Sequence, residues 1–153
     1  MRYYGIPNSP SKSKISRRTP SHTIIVDPID LAWDCQRHID FLYMMQEDAA
    51  PDRMMASLYA DYLLKTGRTP EVVRKKCEEF WALFNTLKTT PKDVWAIVTE
   101  DGARLDGSHR AACAVVRGLA EVTVSVVPLY PFDQGFRKQC QRVKAQKEAD
   151  DAP

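Results

Sequence analysis

Leu105-Asp106-Gly107-Ser108-His109-Arg110-Ala111 reads as a junction between a strand and a helix, and the rest of the chain is understood from it. Beyond Ala111, the small apolar residues Ala112, Ala114, Val115 and Val116 predict a short buried helix that stops at Gly118. A strand that turns through glycine into a helix gathers unpaired backbone N–H groups and the positive end of the helix dipole at one point. Such a point suits an anion, and Ser108 and Arg110 would add a hydroxyl and a guanidinium to a bound phosphate. Asp106, Gly107, Ser108, His109 and Arg110 are therefore the candidate phosphate-binding residues. Each also has a structural reading: a cap for Asp106, a left-handed turn for Gly107, a backbone hydrogen bond for Ser108, a satisfied ring for His109, and an ion pair with Glu100 or Glu121 for Arg110.

The flanking elements follow from periodicity. Val94 to Thr99 reads as a strand, Glu100-Asp101-Gly102-Ala103 as a hairpin turn, and Arg104-Leu105-Asp106 as its antiparallel return. Downstream, Glu121 to Val127 alternates polar and valine residues as a last strand ending at Pro128, and Pro131 opens a final helix from Phe132 to about Gln146. Upstream, Thr69-Pro70-Glu71 starts the longest helix, with Val73, Cys77, Phe80, Trp81, Phe84 and Leu87 on its apolar face, and Pro91 closes it. Thr23 to Asp27 is the first expected strand. Cys35 to Gln46 is helical in period, and Asp52 is the expected N-cap of a further helix reaching Gly67. Its stripe of Met54, Met55, Leu58, Tyr59, Tyr62 and Leu63 suits core packing more than a ligand groove. This order predicts an α+β domain of α/β-like character, a small mixed sheet flanked by helices with a helical insertion over about 35–67.

The chain of 153 residues fits one domain. Residues 1–21 carry five basic side chains and no acid, and with their Ser and Pro content they read as a disordered basic arm, Tyr3 and Tyr4 excepted. Residues 22–147 form the expected domain and 148–153 a disordered tail. The net charge of +2 is uneven: residues 22–136 hold 12 basic and 17 acidic side chains, whereas the ends are basic. An acidic body is a poor duplex-binding surface, but basic ends leave open a nucleic-acid-associated clamp or scaffold, nuclease-like in some versions. No apolar run approaches a membrane span and the N-terminus lacks the apolar core of a signal peptide, so no membrane partner and a cytoplasmic location are expected. The four cysteines stand apart without a Cys-x-x-Cys, and Cys35 with His38 is too small a set to imply a metal site.

The run from Val94 to Val127, with its hairpin, Leu-Asp-Gly-Ser-His-Arg, short Ala-rich helix and valine strand, resembles the ParB/sulfiredoxin superfamily. In that superfamily a related motif opens a helix and binds nucleotide phosphate. The resemblance implies a nucleotide ligand, ATP or another NTP or ADP, with Mg²⁺, and an ATPase or a small-molecule kinase acting on an unidentified acceptor. Sulfiredoxin chemistry is not implied, because Ser108 stands where those enzymes carry the reactive cysteine. The stand-alone serine kinases of the superfamily carry an acid shortly after the first strand. Asp34 occupies that place, with Asp30 as its competitor, so Asp34, Asp30 and His109 are the candidate catalytic residues.

Overall fold

In the computed structural model, residues 1–7, 21–88, 93–130 and 132–152 are described. The β-branched and valine-rich runs form the strands: β1 Tyr4–Gly5, β2 His22–Val26, β3 Val94–Thr99, β4 Ala103–Asp106 and β5 Val122–Val127. Seven helices accompany them among the described residues: α1 Pro28–Ala32, α2 Gln36–Glu47, α3 Pro51–Met55, α4 Leu58–Lys65, α5 Pro70–Thr86, α6 Ser108–Val116 and α7 Gln134–Asp151. The sheet order is β1-β4-β3-β5-β2, with parallel pairs β1·β4 and β3·β5 and antiparallel pairs β4·β3 and β5·β2. The fold is α+β with a mixed sheet.

Strand alternation divides the sheet between two cores. Trp95, Ala96, Val98, Val122, Val124 and Val126 pack with α1 to α6, whereas Ala103, Leu105 and Val127 pack with Tyr4 and Cys140 of α7. Arg104, between Ala103 and Leu105, is sent to the opposite side from its neighbours and ends buried beside α1. The hairpin forms, but not on a two-residue Asp-Gly turn: Gly102 N–H closes a turn on Thr99 O at 3.1 Å with Gly102 at φ +96°, and the register shifts between Ile97 and Val98.

Several expectations change. Tyr3 and Tyr4 are buried and residues 1–7 are docked: Tyr3 N–H bonds Asp30 O at 2.8 Å, Trp33 Nε1 bonds Tyr3 O at 2.7 Å, and β1 extends the sheet. The two tyrosines excepted from the disordered arm supply enough apolar area to hold the residues around them, so the expected disorder is corrected for the rest of 1–7. The rest of the arm, 8–20, lies outside the described residues, as do Pro91, Pro131 and Pro153. At the other end α7 continues to Asp151, where Arg2 pairs with Asp151, so residues 148–151 are helix rather than tail. The single helix expected from Asp52 is two. Ala50 precedes α3, with Pro51 in its first turn, and Ser57 caps α4 through its hydroxyl on Ala60 N–H, so Asp52 is not a cap. In α2, Ile39, Phe41, Leu42 and Met45 are buried and Tyr43 faces out.

Candidate functional site

Gly107 makes the junction sharp. Its φ is +106°, and a Cβ there would meet Trp95 O at 2.4 Å and Ala96 Cα at 2.7 Å, so only glycine lets β4 turn into α6 this close to β3. The helix that follows has no capping side chain, unlike α1, α4, α5 and α7, whose first turns are closed by Asp27, Ser57, Thr69 and Asp133. The N-cap of α6 thus supplies no side-chain acceptor to the first N–H groups of the helix.

Beside this turn lies a cleft of about 990 Å³. Of the motif residues, Ser108 and His109 line it, and Asp106, Gly107 and Arg110 do not. Arg110 turns its guanidinium to Val94 O at 3.0 Å, so the expected side-chain clamp on phosphate is corrected to a contact with the edge of β3. Positive charge comes instead from Arg37, Arg68, Lys76, Arg104 and Lys147, which line the cleft against the three carboxylates Asp34, Asp40 and Glu79. The cleft is cationic although the body around it is acidic.

Asp34 also lines the cleft, but its oxygens are taken. Arg104 Nη1 donates to Oδ1 at 2.7 Å, Lys147 Nζ and Gly5 N–H donate to Oδ2, the latter at 2.7 Å, and the Asp34 side chain is 7% exposed. Burial pushes the carboxyl up, and the two cations and the amide overcome it, holding it at about 2. A carboxylate so placed is a poor proton acceptor. It joins the α1–α2 turn to β4, to the N-terminal segment and to α7. A Cβ at Gly5 would lie 2.4 Å from Arg104 Nη2, so a larger residue there would push the guanidinium off Asp34. Asp30 sits on α1 outside the cleft.

The opposite wall comes from the insertion. Leu58 and Tyr62 of α4 stand at the rim, 63% and 42% exposed, while Tyr59 and Leu63 are buried behind them. One stripe thus serves core and cleft together. His109 Nε2 and the Tyr59 hydroxyl are 3.0 Å apart, and burial, with Lys76 nearby, pushes the His109 ring below its ordinary range. His38 is pushed down to about 3, by burial first and then by His109 and Arg104.

Among the described residues no three His, Cys, Asp or Glu side chains converge as metal ligands, and Asp34 is already paired. Ser108 and the cations share the cleft, and of its three carboxylates Asp40 and Glu79 lie outside the Arg104–Asp34–Lys147 cluster. Three of the described basic residues of the chain ends are held by the domain: Arg2 on Trp33 and Asp151, Lys144 on Asp101 O, and Lys147 on Asp34. Arg104, Lys147 and Lys76 were not legible as site residues, although an arginine between Ala103 and Leu105 in a short inner strand is a signal of a buried partner. No family model, curated protein or solved structure matches the chain.

Proposed function

We propose that the protein binds a nucleoside polyphosphate, ATP in the first instance, in the cleft at the start of α6, and transfers or hydrolyses its terminal phosphate as a ParB/sulfiredoxin-like domain. The observation that supports this best is the coincidence of a cleft of about 990 Å³ with the uncapped N-terminus of α6 and a cationic lining. The phosphates lie against Ser108 and the first-turn N–H groups, with Lys76 nearby. The apolar and aromatic wall of α4 and α5 faces the remainder of the ligand or the acceptor. Asp34 holds the walls together through Arg104 and Lys147 and does not accept the proton of the attacking group.

A thermal-shift series with ATP, ADP, CTP and Mg²⁺ tests the reading. At a ligand concentration 100 times the dissociation constant the folded state gains about 2.7 kcal/mol, which raises the melting temperature by several degrees. No shift with any of the three nucleotides overturns it.

A further inference from the structure

The insertion contributes chemistry as well as a wall. His38, Tyr59, Phe80 and His109 come from four helices, α2, α4, α5 and α6, and every pair among them is in ring contact, with centroids 4.8 to 6.0 Å apart. All four line the cleft, and Phe41 stacks behind Phe80 at 5.4 Å. Rings packed on one another from four elements have little freedom to turn. Their hydrogen positions are then set by what each edge meets.

Tyr59 is 3% exposed and its hydroxyl meets His109 Nε2. A buried O–H with no acceptor costs more than a buried lone pair with no donor, so the phenol donates, Nε2 accepts, and the His109 proton sits on Nδ1. His38 has its Nδ1 buried with no partner. By the same reasoning that nitrogen carries the lone pair, and the His38 proton sits on Nε2. Among the described residues neither His109 Nδ1 nor His38 Nε2 is buried without a partner, and both rings line the cleft.

We propose that His109 Nδ1–H and His38 Nε2–H are paired donors to a phosphoryl-class oxyanion in the cleft, and that Tyr59 is the positioning residue that fixes the His109 tautomer. This rests on the reading that the cleft takes a phosphorylated ligand, and it assigns part of the recognition to the insertion rather than to the motif alone. The charged groups facing the rings are Lys76 of α5, Asp106 and Arg104 of β4, Asp34 of the α1–α2 turn, and Arg37 of α2. Burial outweighs the attraction of the two carboxylates and pushes both rings below their ordinary range, His38 to about 3, so the His38 ring donates without carrying charge. At His38 the anion is held by a hydrogen bond that acidification does not strengthen.

Long-range proton–nitrogen correlation spectra of the nitrogen-15-labelled full chain test this. The chain has three histidines, and His38→Gln and His109→Gln assign the two rings. The expected result at about pH 7.5 is His109 in the Nδ1–H form and His38 in the Nε2–H form, His38 unchanged down to about pH 5.5, with inorganic pyrophosphate moving the protonated nitrogen of both. Tyr59→Phe keeps the ring, releases His109 into a tautomer mixture and weakens pyrophosphate about 5- to 10-fold. An Nε2–H form of His109 in the unaltered chain, an imidazolium signature above about pH 5.5 in the His38 ring, or pyrophosphate that fails to move either ring overturns the proposal. If pyrophosphate moves both rings and ATP does not bind, the nucleotide reading fails and the donor assignment stands. If ATP binds and both rings are unmoved, the assignment fails and the nucleotide reading stands.

Discussion

The Asp34 carboxylate and the Arg104 guanidinium form a buried ion pair, Oδ1 to Nη1 2.7 Å, with each side chain 7% exposed. Arg104 also donates to Leu31 O at 2.6 Å, and Lys147 also donates to Gly5 O at 2.7 Å. One carboxylate therefore joins α1, β4, the N-terminal segment and α7 at the edge of the cleft. Position after the first long strand makes Asp34 look like a base, whereas its surroundings make it a fastening.

Asp34→Ala leaves Arg104 buried without a counter-charge and should cost about 3–5 kcal/mol in urea unfolding. In a double-mutant cycle, adding Arg104→Leu should recover part of that loss. A variant that loses phosphoryl transfer at unchanged stability would instead mark Asp34 as a catalytic group.

Gly107→Ala is expected to be among the most damaging single changes in the chain. The strained φ of +106° and the clash with the backbone of Trp95 and Ala96 act together. Loss of more than about 3 kcal/mol, or failure to fold, is the expected outcome, whereas Gly67→Ala should cost much less, because a Cβ there meets nothing within 4 Å and only the positive φ opposes it. Equal costs at the two positions would contradict the close approach of β4 to β3.

Acidification should unfold the protein early. His38 and His109 titrate lower folded than unfolded, so below about pH 6.5 the unfolded chain binds more protons and stability falls, by up to ~1.4 kcal/mol per pH unit for each ring. For His38 the loss continues down to about pH 3, and Asp34, lowered to about 2, adds to it below about pH 4. Urea midpoints that stay level above about pH 7 and drop steadily below 6.5 are the expected record. A rise on acidification would contradict the buried neutral rings.

The strands around the junction were readable because valine alternation and the Asp-Gly pair are local signals, and so was α5 with its Thr69 cap. The short α1 and the break at Ser57 were not, because each depends on a single cap whose alternative, a loop or a continued helix, fits the same residues. Within the site, Ser108 and His109 were legible and the direction of the Arg110 side chain was not. Helix phase sends it to β3, and phase is set by where Gly107 starts the turn. Lys147 falls just past the expected end of the last helix, and only the longer α7 lying against Gly5 shows its role. His38 and Tyr59 stand in two helices whose apolar stripes look like plain core, and only their meeting with His109 gives them a chemical role.

The central claim is a phosphate-binding cleft at the start of α6. Isothermal titration of the full chain with ATP and Mg²⁺, beside Lys76→Ala and Arg110→Ala, tests it most directly. Saturable binding that weakens about 10- to 100-fold in Lys76→Ala and changes less than about twofold in Arg110→Ala is the result the structure leads us to expect. Absence of binding by the unaltered protein, or a loss in Arg110→Ala as large as in Lys76→Ala, would contradict it.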